Sequence, residues 1–361
     1  MPHLFVAVTA HGYGHLALVA PLIHALCQQQ PHLRVTLAGQ VNPHFVRRRL
    51  PPTVQQVDIA TDVALPMDGP LTVKWQDGLA RYEAFETNYP AHLAQQLAWF
   101  ERDPPDLVLS SVAWLPLDAA HQLGIPAVAL GPLNWYDILA SSPVAAQMST
   151  ALATRLQRVY AAADLFICPT PSMPMTWLPN VRTVGPIAAQ RPRDRATVAA
   201  QLDLDPSATW VLMQFGGAGR LPLGGAAAHL PGVQILTPDR AAAVGNIRLI
   251  CDADHSHGCD GLGVLASCDV LMTKPGYNSF AEAACHGIPV LYARRDDWAE
   301  TRYLVDWLEK KVPTRAITAA ALAQGDIATA LAQLTAAPPS AITPATGVAD
   351  CLALLKPWLF K

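Results

Sequence analysis

The chain has 361 residues, and at roughly 150 residues per domain this length predicts two domains. Its formal net charge is −3, 15% of its residues are charged and 51% are hydrophobic. This composition excludes a disordered chain and a polyelectrolyte, so nucleic acid is not an expected partner.

Over the first 185 residues, short apolar runs alternate with amphipathic stretches, a rhythm typical of helices packed on a parallel sheet. The pattern therefore predicts an α/β unit. Its predicted strands span 4–9, 35–37, 107–109, 127–130 and 165–168, and its predicted helices span 15–29, 91–101, 119–123 and 149–162.

The segment 184–195 is rich in Pro, Arg and Gln and is the best linker candidate. Beyond it a second α/β unit begins. Its predicted strands span 210–214, 232–236, 248–250, 270–272 and 289–292, and its predicted helices span 195–202, 261–267 and 279–286. The Ala-rich stretch 315–340 predicts a weakly structured pair of surface helices. An amphipathic helix at 347–360 must bury its apolar face, and the first unit is one candidate partner.

The seven cysteines are an odd number without a repeated CxxC spacing, which indicates reduced thiols. No apolar stretch approaches the roughly 18 residues that a membrane span needs, and no leader sequence is evident. We therefore expect a cytoplasmic protein, and a peripheral contact with a membrane surface stays open.

The strongest local motif is Lys-Pro-Gly-Tyr-Asn-Ser-Phe-Ala-Glu at 274–282, between a predicted strand and a predicted helix. Asn278 or Ser279 can cap the helix, and its free N–H groups together with Lys274 would bind an anion such as phosphate. Glu282, one turn further on, suits a ribose diol. An ordinary strand–turn–helix connection with a solvated glutamate is the alternative.

A second glycine-rich turn, Phe-Gly-Gly-Ala-Gly-Arg at 215–220, directly follows a predicted strand. The backbone could approach a diphosphate closely there, and Arg220 offers paired donors for phosphate oxygens. Both turns would lie at the carboxyl ends of strands in one sheet, where open α/β folds bind ligands.

The amino-terminal turn, His-Gly-Tyr-Gly-His-Leu-Ala at 11–17, satisfies G-x-G-x-x-A after a strand. The acidic residue that a dinucleotide site needs about twenty positions later is missing, so NAD is a minor option. His11 or His15 could instead accept a proton from a hydroxyl in a cleft, and the alternative is that each only hydrogen-bonds the loop.

The segment 251–260 gathers Cys, Asp and His side chains, but its spacing matches no zinc template, so we predict no metal site and no cofactor. Seven aromatic residues of the first unit could line an acceptor cleft or simply form core. They are Trp75, Tyr82, Phe85, Tyr89, Trp114, Trp135 and Tyr136.

The motif at 274–282 resembles the donor-binding signature of GT-B glycosyltransferases: plant UDP-glycosyltransferases carry His-Cys-Gly-Trp-Asn-Ser followed three residues later by Glu. Similarity to the lipid II N-acetylglucosaminyltransferase is looser. Most of 1–310 looks like the glycosyltransferase-like amino-terminal region of arabinokinases. The matching features are the turn at 11–15, Asp-Leu-Val-Leu-Ser at 106–110, Phe-Gly-Gly at 215–217, Ser-Cys-Asp at 267–269, Lys-x-Gly-Tyr at 274–277 and Arg-Arg-Asp at 294–296 leading to Glu300.

This resemblance implies a GT-B fold: an acceptor-side Rossmann-like domain over 1–185 and a nucleotide-sugar-binding one over 186–361, facing across a cleft, with 349–361 a candidate to cross back. His15 would be the catalytic base and His11 its alternate. Glu282 would bind the ribose and Glu300 the sugar hydroxyls. Gly276, Asn278 and Ser279 would hold the donor diphosphate, with Lys274 at the position of the plant histidine and with Gly216 and Gly217 facing the phosphates from the other turn. The glycine-rich turn itself adds Gly219 and Arg220 to the expected donor site.

One position departs from the resemblance. Plant enzymes orient the histidine with an aspartate at a neighbouring strand end, where this chain has Ser110 and Ser111. Asp118 is near in sequence but would lie on a helix. The sequence therefore offers no aspartate partner for His15 at this position.

The sequence thus predicts a metal-independent, inverting glycosyltransferase that moves a sugar from a UDP- or dTDP-sugar to a small-molecule or lipid acceptor. The stretch 66–89 is the expected acceptor region. The alternative is a non-catalytic nucleotide-sugar-binding module with a sensor or regulatory role.

Overall fold

In the computed structural model, the described residues are 1–9, 11–216, 221–250 and 260–359, and they form two lobes that each contain a parallel sheet. In the N-terminal lobe the strands are β1 His3–Val8, β2 Arg34–Ala38, β3 Gln55–Val57, β4 Met67–Asp68, β5 Thr72–Val73, β6 Leu107–Ser111, β7 Ala127–Leu130, β8 Leu165–Pro169 and β9 Val181–Val184. Its helices are α1 Gly14–Gln29, α2 Pro43–Arg49, α3 Trp75–Thr87, α4 Tyr89–Arg102, α5 Trp114–Gln122, α6 Trp135–Ala140 and α7 Thr150–Ala162, with a 3-10 helix at Ala145–Gln147.

The second lobe repeats the arrangement after a segment, 185–194, without helix or strand. Its strands are β10 Thr209–Gln214, β11 Val233–Thr237, β12 Ile247–Leu249, β13 Val270–Thr273, β14 Val290–Ala293 and β15 Thr314–Ile317. Its helices are α8 Arg195–Leu202, α9 Gly261–Ser267, α10 Tyr277–His286, α11 Thr301–Leu308, α12 Ala319–Gln324, α13 Ala328–Thr335 and α14 Gly347–Leu359, with 3-10 helices at Gly225–His229 and Arg240–Ala242.

Both sheets have the strand order of a Rossmann-like fold. In the described chain the first runs β3-β2-β1-β6-β7-β8-β9 and the second β12-β11-β10-β13-β14-β15, with every neighbouring pair parallel. The order reverses direction beside β1 in one sheet and beside β10 in the other. Ligands of open α/β sheets bind at the carboxyl ends of strands flanking such a reversal. The loops after β1, β6, β10 and β13 are therefore the places to look for a site.

The central strands are buried on both faces because helices cover both sides of each sheet. They read as unbroken apolar runs in the sequence, so their predicted positions lie within one or two residues of the observed bounds. The Ala-rich stretch is better packed than predicted: α12 and α13 bury Leu322, Leu331 and Leu334 against the second sheet.

The last helix leaves the second lobe and packs on the first. Within α14, Leu355 and Leu359 are buried in a core that also contains residues of α1. The side-chain amide of Gln30 donates to the carbonyl of Leu359 (2.6 Å), and Asp350 accepts from the backbone N–H of Gly185 (3.0 Å). The crossing that the sequence raised as a candidate is therefore present. Among the described residues, no helix is both long and apolar enough to cross a bilayer.

Candidate functional site

The loop between β13 and α10 presents an uncapped helix amino terminus. The N-cap residue is Gly276, which has no side chain that could cap the helix. Asn278 and Ser279 lie in the first turn, and neither forms the predicted cap. Asn278 turns its amide to the N-terminal lobe, where Nδ2 donates to the carbonyl of Gly14 (2.9 Å). The first-turn N–H groups of α10 are thus left without a capping side chain, as an anion site requires.

The second glycine-rich turn begins beside this loop, because β10 and β13 are neighbours and Gln214 pairs with Thr273. Gly216 has φ +78, and a Cβ placed on it would lie 3.7 Å from Cε of Lys274. The two turns therefore approach each other where they leave the sheet. The other predicted residues of this turn, Gly217, Gly219 and Arg220, lie outside the described residues, as does the segment 251–259.

Lys274 is a mostly buried cation that reaches across to the N-terminal lobe. Its Nζ donates to the carbonyl of Pro70 (2.9 Å) in the β4–β5 hairpin. Burial, together with the charge of Arg295, lowers the pKa of Lys274 to about 8. The ammonium is therefore charged at neutral pH but held at a cost, which an anionic ligand would offset.

Glu282 and Glu300 were both predicted to bind the donor; Glu300 is buried, Glu282 is half-buried, and the pKa of each carboxyl is raised. Burial raises the pKa of Glu282 to about 7, while Arg49 from α2 lowers it and Asp260 raises it. Burial likewise raises the pKa of Glu300 to about 7, opposed by a hydrogen bond that its Oε2 accepts from Nε1 of Trp298 (3.0 Å). The second oxygen of Glu300, Oε1, is buried without a partner among the described residues.

His11 lies within a group of aromatic rings drawn from both lobes. Its ring stacks on Trp298 (centroids 5.6 Å apart, interplanar angle 7°) and meets Trp135 edge-on (5.4 Å, 78°). Trp75 stacks on Trp298 as well (6.2 Å, 24°). Burial and the charges of Arg295 and Lys274 lower the pKa of His11 to about 4, so this imidazole is neutral at physiological pH.

His15 lies in the first turn of α1, beside the carboxyl end of β6. Its Nδ1 shares a hydrogen bond with Oγ of Ser111 (3.1 Å), because Ser111 pairs with Val8 at the end of β1. Burial, with a further contribution from His11, lowers the pKa of His15 to about 3. When Nδ1 carries the proton and donates it to Ser111, Nε2 is the basic nitrogen.

Ser111 thus occupies the place where the resemblance calls for an aspartate. Asp118 does not substitute for it, since this carboxylate on α5 accepts from the hydroxyl of Tyr89 (2.8 Å) and from Arg158 (2.9 Å). The residue after Ser111 is Val112, whose φ of +55 is rare for a β-branched side chain and costs on the order of 1–3 kcal/mol. This strained residue directly follows Ser111, in the turn that leaves the end of β6.

Sequence reasoning missed two residues of the site, Arg295 and Trp298. Arg295 is 6% exposed, and its guanidinium carbon lies 4.2 Å from the ring centroid of Trp298. Trp75 and Trp135 were predicted as candidates for an acceptor cleft, and the structure brings both to His11 or Trp298. The available signal was the pattern Arg-Arg-Asp-Asp-Trp after a buried strand, where charged and aromatic residues stand at the ligand-binding end of a sheet.

No family model matches the chain. L-arabinokinase of Arabidopsis thaliana is 23% identical over 322 residues, which are 85% of this chain but only 30% of that protein. The calicheamicin glycosyltransferase CalG4 aligns over 100% of this chain and 99% of its own with a TM-score of 0.65 and 16% identity. The glycosyltransferase SsfS6 of Streptomyces sp. SF2575, solved with thymidine diphosphate, covers 99% of this chain and 100% of its own (TM-score 0.56, 18% identity). The chain therefore has the GT-B fold of these glycosyltransferases, two Rossmann-like lobes that face each other across a cleft.

Proposed function

We propose that the protein transfers a sugar from a UDP- or dTDP-sugar to the hydroxyl of a small-molecule or lipid acceptor, in a single inverting displacement without a metal ion. The observation that carries this proposal is the meeting of two helix amino termini across the cleft. Asn278 at the start of α10 bonds Gly14 at the start of α1, which brings the uncapped donor-side helix beside His15.

On the donor side, positive charge is concentrated where a diphosphate would sit. Lys274 and the first-turn N–H groups of α10 would hold the phosphate oxygens, with Gly216 allowing close approach from the neighbouring turn. Gly276, Asn278 and Ser279 complete this cradle in the proposal, together with Gly217, Gly219 and Arg220. Glu282 would bind the ribose, and the unpartnered Oε1 of Glu300 would accept from a sugar hydroxyl.

On the acceptor side, His15 would act as the general base. Nε2 of His15 takes the proton of the acceptor hydroxyl while the acceptor oxygen forms its bond to the anomeric carbon. The bond from that carbon to the diphosphate oxygen breaks, and the nucleoside diphosphate leaves with the bonding electrons. Ser111 positions the imidazole through Nδ1, and the charge of Lys274 stabilises the leaving diphosphate. His11 is the alternate base.

The cysteines support a reducing compartment such as the cytoplasm as the place of this reaction. Those of the described residues are free thiols, and burial raises the pKa of several, including Cys168 to about 12. A buried thiol of high pKa is unreactive, so these side chains are structural.

The proposal is tested with a panel of UDP- and dTDP-sugars. Purified protein is screened by thermal shift, since a ligand at 100 times its dissociation constant stabilises a protein by roughly 2.7 kcal/mol. The sugars that bind are then incubated with protein and candidate acceptors, and the release of nucleoside diphosphate is followed. We expect binding of at least one sugar, release that depends on acceptor, and loss of release in His15→Ala.

His32→Ala is the matched control, because His32 is an exposed histidine at the far end of the same lobe's first helix. It should keep the wild-type rate. Binding of a nucleotide sugar without any release of diphosphate would contradict transfer. Full rates in both His15→Ala and His11→Ala would contradict the assignment of the base.

A further inference from the structure

Arg295 is a buried cation whose hydrogen bonding is incomplete. It follows β14 and is 6% exposed. Its Nε donates to the carbonyl of Leu71 (3.2 Å), and its guanidinium lies over the ring of Trp298. Nη2 has no hydrogen-bond partner among the described residues. The ring of Trp298 and the carbonyl of Leu71 fix the plane of the guanidinium, and Nη2 is left without an acceptor in the described part of the chain.

The carboxylates of Asp297 and Glu300 offset the charge of Arg295 only in part, and both oppose the lowering of its pKa by burial. The charge of Arg295 lowers the pKa of the nearby Lys274, and the charges of both cations lower the pKa of His11. Asp297 approaches Nε only to 3.7 Å, and its other oxygen already accepts from the backbone N–H of Val73 (3.0 Å). Burial lowers the pKa of Arg295 to about 10, so the guanidinium stays charged at neutral pH. A buried charge of this kind is costly unless an anion meets it.

We infer that Arg295 forms an anion subsite of the donor site, in which Nη2 donates a hydrogen bond to a phosphate or carboxylate oxygen of the bound nucleotide sugar. The inference rests on the proposed function, and it assigns a role to a side chain which that function leaves unused. Glu300 marks the adjoining position: it is 5% exposed, Trp298 holds one of its oxygens, and the other has no partner. Nη2 of Arg295 and Oε1 of Glu300 each lack a hydrogen-bond partner among the residues that the structure describes, and both side chains contact the indole of Trp298. A cation and a carboxylate in this arrangement match a ligand that carries an anionic oxygen next to hydroxyls.

The hairpin formed by β4 and β5 shows how weakly the two cations are satisfied without such a ligand. The carbonyl oxygens of Pro70 and Leu71 accept from Lys274 and Arg295, one each. A neutral carbonyl is a weaker partner for a cation than an anionic oxygen. Phosphate or carboxylate oxygens would therefore compete successfully for both side chains when the donor enters.

The test measures dissociation constants by calorimetry for inorganic pyrophosphate, UDP, UDP-glucose and UDP-glucuronate. Each ligand is titrated into the wild-type full chain and into Arg295→Gln, Arg295→Lys and the control Arg294→Gln. Arg294 is the adjacent exposed arginine, so its substitution makes the same change in net charge outside the site. Arg295→Lys keeps the charge and protects the test against a folding defect in Arg295→Gln.

We expect Arg295→Gln to weaken binding about tenfold or more, the typical value of a hydrogen bond to a charged group, with a smaller loss in Arg295→Lys and none in Arg294→Gln. A loss shared by pyrophosphate, UDP and both sugars identifies the anion as the diphosphate. A loss confined to UDP-glucuronate identifies it as a carboxylate on the sugar. Unchanged affinity of the folded Arg295 variants for every ligand overturns the inference.

The outcomes separate this inference from the proposed function. If wild-type protein binds UDP-sugars and both Arg295 variants bind them equally well, the inference fails and the function stands. If pyrophosphate binds through Arg295 and no sugar of the UDP- and dTDP-sugar panel binds, the subsite stands and the nucleotide-sugar function fails. If the wild-type chain binds neither the four ligands nor any sugar of that panel, both fail.

Discussion

The imidazole of His15 is held by a hydroxyl where a carboxylate was expected, and this has a measurable consequence for the pH dependence of transfer. A base acts only when unprotonated, and the pKa of His15 is about 3. The base form is therefore fully populated from pH 5 to pH 8, so His15 should add no acid limb to kcat/KM, which reports the free enzyme. Glu282 and Glu300 have pKa values of about 7 and titrate in the same range, so the profile is measured in a Glu282→Gln, Glu300→Gln background. An acid limb near pH 6.5 in that background would contradict the buried, neutral state of His15.

Ser111→Ala tests the positioning role. Losing a neutral hydrogen bond of about 1–1.5 kcal/mol should lower kcat roughly tenfold while leaving the donor dissociation constant unchanged. Ser110→Ala is the matched control, because that hydroxyl donates to the carbonyl of Ala113 and not to His15. Ser111→Asp should raise the pKa of His15 and move an acid limb into the measured range, since a carboxylate stabilises the imidazolium. Equal rates for Ser111→Ala and Ser110→Ala would refute the role.

The burial of Glu300 lowers the stability of the folded chain when its carboxyl group is ionised. Its pKa in the folded chain, about 7, lies above the usual value near 4.5, so the folded state favours the protonated carboxyl. Stability is therefore lost as the pH rises from about 4.5 to 7, by an amount on the order of 3 kcal/mol. Glu300→Gln removes the ionising group, so its midpoint of thermal unfolding should exceed the wild-type midpoint at pH 8 by more than at pH 5.

The exposed Glu309→Gln is the control for this comparison and should show the same difference from wild type at both pH values. Glu300→Gln should also bind the sugar nucleotide more weakly, because an amide oxygen accepts less strongly than a carboxylate. A Glu300→Gln protein that is less stable than wild type by the same amount at pH 5 and pH 8 would show that the carboxylate is not desolvated.

At the level of single residues, sequence reasoning could find groups whose type and spacing carry a signal. His15 and Lys274 belong to short turns after strands, and the structure places both in the cleft. For Arg295 and Trp298 the sequence offered only the charged and aromatic run after β14, because the burial of Arg295 depends on a hairpin some 225 residues away in the chain. Burial and unfilled hydrogen bonds are properties of the folded molecule, so this run alone does not assign either residue to the site.

The β4–β5 hairpin is an element of the N-terminal lobe that contacts the second lobe. Its backbone meets three side chains of the second lobe: Lys274 at Pro70, Arg295 at Leu71 and Asp297 at Val73. Leu71 also packs against the core of the second sheet. The region 66–89 was predicted as the acceptor region, which stays a prediction, and its contacts with the second lobe were not predicted.

Asp297→Ala should loosen this hairpin without disturbing either sheet. The N–H of Val73 would lose its carboxylate acceptor, and its hydrogen exchange should accelerate about tenfold, as expected for a charged hydrogen bond. Hydrogen exchange with mass spectrometry on the peptide that covers 67–74 measures the effect. The exposed neighbour Asp296 provides the control substitution. Exchange at the wild-type rate in Asp297→Ala would mean that other contacts hold the hairpin.

Among the elements, the central buried strands and several of the longer amphipathic helices were predicted. Five short strands were not: β3, β4, β5, β9 and β15 have two to four residues, which give little alternation to read. Length alone does not decide this, since β12, with three residues, was predicted at 248–250. α3 was not predicted, although Trp75, Leu79, Tyr82 and Phe85 recur at helical spacing and are buried.

At the scale of the molecule, one hydrophobic cluster extends through both lobes, so we expect the two lobes to unfold together. The largest hydrophobic cluster includes Leu26 of α1, Phe280 of α10 and Leu355 of α14, so it passes from one lobe into the other. A helix of the second lobe is also fixed to the first by Gln30 and by Gly185. We therefore expect a single cooperative transition in calorimetry, where two weakly joined domains would give two.

Leu355→Ala tests this coupling. Leu355 is fully buried, and truncating a buried leucine costs about 2–5 kcal/mol through lost apolar burial and the cavity left behind. Because the cavity opens at the contact between α14 and α1, the first lobe should lose stability although the substitution lies near the end of the second. The exposed Lys356→Ala on the same helix should leave the transition unchanged. If Leu355→Ala lowers one of two separate transitions and leaves the other at its wild-type temperature, the lobes unfold independently.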